Sequence, residues 1–259
     1  MIWTAFTAEL RREITQLRRY PTEFLSEAIF IAVVFYGLFL GGSYMAGHGI
    51  LGSRLSDIII GYTLWTLMLG AIGNMGWGIA NEAQNGTLEQ VCLAPMRIRT
   101  IFALRALANL VYDLALTLVA LVLIMLVTHH TIHFSALELE PVVLAIGVSI
   151  GIGYLVASVT ILFKRSSQFL NLLQFAVLFL VMTPFSDLPG AFKYVAVIVP
   201  LGPQMGVLRH LALGQTHFPG EEAWLLLGIA NAILWIVLGY VVYGRAHDAA
   251  RSRGILGHY

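Results

Sequence analysis

Charge is scarce in this chain. Asp, Glu, Lys and Arg make up 11% of its 259 residues, against about 25% in an ordinary soluble domain. That shortage excludes a water-facing surface over most of the fold. Cysteine is nearly missing: Cys92 stands alone, which excludes an internal disulfide and leaves the thiol as a small apolar residue. Lysine occurs only as Lys164 and Lys193, each preceded by phenylalanine. A phosphate-binding P-loop requires Gly-Lys-Ser/Thr, so these residues do not hydrolyse ATP by that route. A basic surplus is missing too. The formal net charge of +1 leaves no electrostatic footprint for nucleic acid.

What the chain has is apolar length: 58% of it is hydrophobic, above the globular average of about 45–50%. A bilayer core is crossed by about 20 apolar residues in helix. Six stretches reach or approach that length, over residues 24–44, 58–80, 101–127, 142–163, 169–185 and 223–243. The fifth lies near the lower limit. The predicted fold class is therefore an all-α polytopic membrane protein, one domain over residues 1–259 with spans one to five in 24–185. Residues 1–20 hold Trp3, Phe6, Leu10, Ile14 and Leu17 at helical spacing with arginines between them, which predicts an amphipathic helix on the membrane surface rather than a cleaved leader. Residues 186–220 hold Pro189, Pro200, Pro203 and Pro219 around two short apolar runs. Each run is too short to cross, and a re-entrant or surface pair of helices is expected.

Orientation follows from Lys and Arg in the flanks. With the N-terminus inside, Arg11, Arg12, Arg18, Arg19, Arg97, Arg99, Arg105, Lys164, Arg165, Arg245, Arg251 and Arg253 lie on the inner side, and only Arg54, Lys193 and Arg209 on the outer. Both termini, including the tail 244–259, are expected in the cytoplasm, with the chain in a bacterial inner membrane.

Between spans two and three lies a compact polar insert, NEAQNGTLEQVCLAP, over residues 81–95. Thr87 and Gln90 form a capping box, Gly86 breaks the chain before it, and Pro95 ends it. Leu88, Val91 and Cys92 share one face of a helix about 10 Å long at 1.5 Å per residue. An exposed apolar face on a short rigid element suits docking in another protein's groove; a plain capped loop is the simpler alternative.

The pattern Glu82-x-x-x-Gly86-Thr87-Leu88-Glu89, closed by Pro95 and followed by basic residues, resembles the ABC-2 family of ABC exporter permeases. The basic helix ending at Tyr20-Pro21, the six spans and the stretch VPLGPQMGVLRHLALG at 199–214 extend the likeness, although the family's asparagine before Pro200-Leu201 is missing here. The resemblance implies that 81–95 is a coupling helix, with Glu82, Gly86, Thr87, Leu88, Glu89 and Val91 seated in a separate ATP-binding subunit. It implies two copies of that subunit, carrying the ATP and Mg, and a second copy of this permease or a close paralogue. No cofactor is expected in this chain. Drug- and lipid-type exporters resemble it more than polysaccharide exporters do, so a hydrophobic or amphiphilic small molecule or lipid is the expected cargo. A polysaccharide or lipid-linked glycan is the alternative.

Asp113 falls well inside span three, where a carboxylate is costly and marks a function by default. It either faces a translocation path or pairs with Asn74, Arg105 or Glu27. Gln168, Asn171 and Gln174 recur near one face of span five, to line a path or to bond between helices. Glu23 and Glu27 open span one on one face, beside Arg18 and Arg19. His129, His130 and His133 cluster after span three, a spacing that can hold a metal but is also ordinary for a polar loop; no metal is expected. Gly147-Val148-Ser149-Ile150-Gly151 matches the nucleophile pattern G-x-S-x-G, which admits a rhomboid-like intramembrane protease. No histidine lies at membrane depth to activate the serine, and small residues four apart also serve close helix packing. A proton-driven carrier, the other rival, would need several mid-membrane acids, and Asp113 is alone there.

Overall fold

The structure is a computed structural model; it describes residues 2–45, 53–78, 98–131, 136–163, 167–183, 192–212, 215 and 220–252. The insert 81–95, with Glu82, Gly86, Thr87, Leu88, Glu89 and Val91, lies outside the described residues, as does His133. All regular structure among the described residues is helical. The helices are α1 (Ile2–Arg19), α2 (Pro21–Met45), α3 (Ser53–Ile72), α4 (Ile98–Thr128), α5 (Leu139–Leu162), α6 (Ser167–Met182), α7 (Phe192–Ile198), α8 (Gly202–Ala212) and α9 (Glu221–Ser252). A π-helical turn, Gly73–Trp77, continues α3.

Among the described residues five helices are long and apolar enough to cross a membrane: α2, α3 with its π turn, α4, α5 and α9. They answer to five of the six predicted spans, and the remaining one, residues 169–185, meets the shorter apolar helix α6. The 16 residues of α6 cover about 24 Å at 1.5 Å per residue, short of a hydrocarbon core of about 30 Å. Leu172, Phe175 and Phe179 on α6 are exposed, as a lipid-facing or partner-facing helix requires.

The bundle is built around α5 and α9. Leu144 lies beside Gly228, Gly147 beside Ala232, and Gly151 beside Gly239, so the two helices run parallel. The small-residue stripe of α5 explains the closeness: a Cβ on Gly151 would strike the backbone of Trp235, and one on Gly239 would strike the Gly151 carbonyl. This is the use that Gly147, Ser149 and Gly151 have in the fold. Ser149 Oγ donates to Ala145 O at 2.8 Å within its own helix and is buried, which leaves the protease reading without an activated nucleophile.

One end of the bundle gathers α1, the start of α4 and the ends of α5 and α9, where Tyr243, Ala246 and Ala250 pack on Tyr154, Ala157 and Ile161. At the other end Ser56 and His130 Nε2 are hydrogen-bonded at 2.8 Å, tying α3 to the end of α4. Among the described residues, no group of three or more His, Cys, Asp or Glu is gathered as a metal site. There, too, α7 and α8 form a turn fixed to α9. Asn231 Nδ2 donates to the carbonyls of Val197 at 2.7 Å and Val199 at 3.2 Å, Trp235 Nε1 donates to Ile198 O at 3.1 Å, and Gln204 Nε2 donates to Gly228 O at 3.0 Å. The Asn231 and Trp235 donors satisfy carbonyls that the end of α7 leaves orphaned.

Candidate functional site

Asp113 sits on α4, facing α3, and is 9% exposed. Its carboxyl group fits against α3 only because Gly70 has no Cβ at that point. Asn74 Nδ2 donates to Asp113 Oδ2 at 2.8 Å, so the pairing with Asn74 named among the alternatives is the one that forms. Asn74 stands in the π turn. An extra residue per turn shifts the facing side chains, which is why such turns recur at functional positions.

Asn74 also lines a cavity of about 240 Å³ between α1, α2, the π turn and α4. Its lining is polar and aromatic: Glu13, Gln16, Tyr20, Glu23, Phe24, Glu27 and Tyr112 complete it. Tyr112 Oη donates to Glu27 Oε2 at 2.6 Å. The Phe24 and Tyr112 rings meet edge to face, centroids 5.5 Å apart at 82°. Tyr20, Glu23 and Glu27 are exposed at the rim, while Glu13 is buried at the back.

The back wall comes from α1. The face of α1 turned to the bundle is mixed: Phe6, Leu10 and Leu17 are half-buried beside Glu9 and the buried Glu13. Glu9 Oε1 lies 3.3 Å from Arg105 Nε, and Glu9 Oε2 lies 3.2 Å from Arg12 Nη1. Glu13 Oε1 is 3.7 Å from Arg12 Nε. Burial pushes the Glu13 carboxyl above the ordinary carboxylate range; Arg12 pulls it back, Glu9 adds to the rise and Arg105 opposes it. Trp3, on the outward side of α1, is 74% exposed.

A second cavity, of about 390 Å³, lies between α3, α4, α5 and α8, in the half of the bundle away from α1. Leu64, Leu67, Leu118, Leu121, Val142 and Leu208 are part of a mainly aliphatic wall that also includes Thr63, Thr117 and Glu138. Leu118 and Leu139 at its edge are exposed, so the cavity opens sideways rather than along the bundle axis.

The remaining path candidates are not brought to Asp113. Gln168 and Asn171 are exposed on α6 and Gln174 is half-buried, with its main-chain carbonyl accepting Trp65 Nε1 at 2.9 Å. Sequence reasoning named Glu23 with Glu27 on one face, and Asp113 with Asn74 or Glu27 among its possible partners. It missed Glu13, Phe24 and Tyr112 as parts of one cavity, because only the tertiary fold joins α1, α2 and α4.

A family model described as ABC-2 type transporter matches residues 4–212. The chain belongs to this family. The match runs from α1 to the end of α8 and takes in both cavities and the Asp113–Asn74 pair. No match was found among curated proteins. As an ABC-2 transporter membrane domain, the chain is a multi-pass membrane protein and a permease subunit of an ABC exporter. It carries transport, not catalysis. Members of this family generally work with a separate ATP-binding subunit and often as dimers.

Proposed function

We propose that this ABC-2 permease moves a hydrophobic or amphiphilic small molecule, drug or lipid, out of the cytoplasm or inner leaflet of a bacterial inner membrane. ATP is hydrolysed by two copies of a separate subunit, which carry the Mg and grip residues 81–95. Glu82, Gly86, Thr87, Leu88, Glu89 and Val91 make that contact. Both termini are cytoplasmic, α1 lies at the inner surface, α6 completes a sixth crossing, and the α7–α8 turn is the outer re-entrant element. A second copy of this chain or a close paralogue packs on α6. Exposed Gln168 and Asn171 on an otherwise apolar helix support that placement, because polar side chains in lipid gain from a facing helix.

The observation that carries the cargo class is the apolar cavity. A pocket of about 390 Å³ walled mainly by aliphatic side chains suits an alkyl or aromatic body. It offers few of the donors and acceptors that a sugar chain needs, which favours an amphiphile over a glycan. Its sideways opening gives a lipid-borne molecule direct entry.

Leu118→Trp fills the mouth of this cavity from a half-exposed position. ATP-driven export of an amphiphile in proteoliposomes is expected to fall at least fivefold while the protein stays folded. Unchanged export would remove the cavity from the path.

A further inference from the structure

The cavity of about 390 Å³ between α3, α4, α5 and α8 is aliphatic over most of its wall, but it has one polar point without a partner. Thr117 lines it from α4 and is 7% exposed. Thr117 Oγ1 is buried and has no hydrogen-bond partner among the described residues.

The other hydroxyls of the bundle behave differently. A threonine or serine inside a helix can donate to the carbonyl four residues back. Thr63, Thr66, Ser149, Ser158 and Thr160 all do so, with Thr63 Oγ1 at 2.7 Å from Ile59 O. For Thr117 that carbonyl belongs to Asp113, and the bond is not made. Buried polar atoms are satisfied almost without exception. A hydrogen-bonding group is therefore missing beside Thr117, and the cavity is the space that can hold one.

Size and charge narrow the occupant. About 390 Å³ falls within the range of about 300–1,000 Å³ for small-molecule sites. The stretch of α4 along the cavity, Leu114 to Leu121, covers about 10 Å at 1.5 Å per residue. Among the described residues the wall holds no Lys, Arg or His, and its one acid, Glu138, is already engaged. A charged headgroup would enter without a free counter-charge, and burial in that state is costly. A carbonyl would use only the donor side of Thr117. A hydroxyl group is small, neutral and both donor and acceptor, as Thr117 Oγ1 is.

We propose that this cavity binds a neutral amphiphile through a single hydroxyl group held at Thr117 Oγ1, with its aliphatic body along Leu64, Leu67, Leu114 and Leu121. The inference rests on the reading that the apolar cavity receives the cargo, and it narrows that cargo to an uncharged alcohol.

The test uses the full chain in phosphatidylcholine nanodiscs with radiolabelled 1-decanol. The comparison is 1-fluorodecane, in which a poorly hydrogen-bonding fluorine replaces the hydroxyl; both are corrected for empty discs. The alcohol is expected to bind at least threefold more tightly, inside the roughly 2–12-fold that one net hydrogen bond provides. Thr117→Val keeps the shape of the side chain and removes its hydroxyl. It should bind both compounds alike, as tightly as the unaltered protein binds 1-fluorodecane, which also shows that it is folded. Should Thr117→Val fold poorly, Thr117→Ala carries the same expectation. Decylammonium should displace bound 1-decanol less well than unlabelled 1-decanol does. Equal affinity for the two compounds in the unaltered protein overturns the proposal, as does a preference that survives loss of the Thr117 hydroxyl. Displacement by decylammonium as effective as by 1-decanol overturns the neutral class. Leu118→Trp separates this proposal from the reading beneath it. If the two compounds bind equally and Leu118→Trp excludes both, the hydroxyl contact falls and the apolar-cavity reading stands. If neither compound binds the unaltered protein, both fall.

Discussion

Gly151→Ala is expected to destabilise this protein strongly. The new Cβ meets the backbone of Trp235 and Ile236, and backbone, unlike a flexible side chain, does not turn aside. The α5–α9 pair must part along its length, and overpacking of that kind costs about 3 kcal/mol at the upper end of the usual range. For a chain of this size that corresponds to roughly 6–12 °C in Tm. Gly239→Ala should act alike, because its Cβ meets the Gly151 carbonyl from the other side. Gly37→Ala is the contrast. Nothing lies within 4 Å of its added methyl, and alanine is favoured over glycine in a helix by about 1 kcal/mol. Thermal unfolding in detergent, followed by size exclusion or light scattering, checks all three. A Gly151→Ala protein as stable as Gly37→Ala would refute the parallel α5–α9 contact.

The second large effect concerns Asp113. Asn74→Leu removes its only hydrogen-bond donor among the described residues and leaves a buried carboxylate facing leucine. An orphaned buried polar group costs about 1–3 kcal/mol, and more when it is charged. Adding Asp113→Leu removes the orphan, so the double variant should recover most of the loss, with a coupling of about 0.5–3 kcal/mol. Asp113→Asn tests what else the carboxylate does, since an amide still accepts from Asn74. Unchanged export confines Asp113 to holding α4 on the π turn; lost export in a protein of normal Tm places it on the path.

Long apolar runs between arginines were sufficient to place α2, α3, α4, α5 and α9, because lipid demands an uninterrupted apolar helix and little else does. The ends were less legible. Residues 223–243 were expected for the last span, yet α9 runs on to Ser252. Its final turns carry Arg245, Asp248 and Arg251, which end the span on hydropathy, while Ala246 and Ala250 stay buried against α5 and keep the helix going. Residues 169–185 looked like a span on hydropathy, but α6 stops at Met182. The stripe Gly147–Gly151 announced close packing, but not its partner. Gly239 is reached only after α6, α7 and α8 have intervened, and pairing over such a distance leaves no local periodicity.

The cavity at Asn74 was the least legible feature. Glu23 and Glu27 read as acids at the interface and Asn74 as one of three partners for Asp113, while nothing in the sequence singled out Tyr112. The π turn that swings Asn74 towards Asp113 has no composition of its own; Gly73-Asn74-Met75-Gly76-Trp77 fits an α-helix as well. The family assignment, by contrast, was legible in residues 82–89 and 95.

The central claim is that this chain moves an amphiphile only when a separate ATPase drives it. The direct measurement places the purified chain in proteoliposomes with and without its ATP-binding subunit and follows export of an amphiphile. ATP-dependent movement is expected only with both chains present, unaffected when a proton gradient is collapsed, and lost in Gly86→Pro. Export by this chain alone, without nucleotide and driven by the proton gradient, would contradict the account.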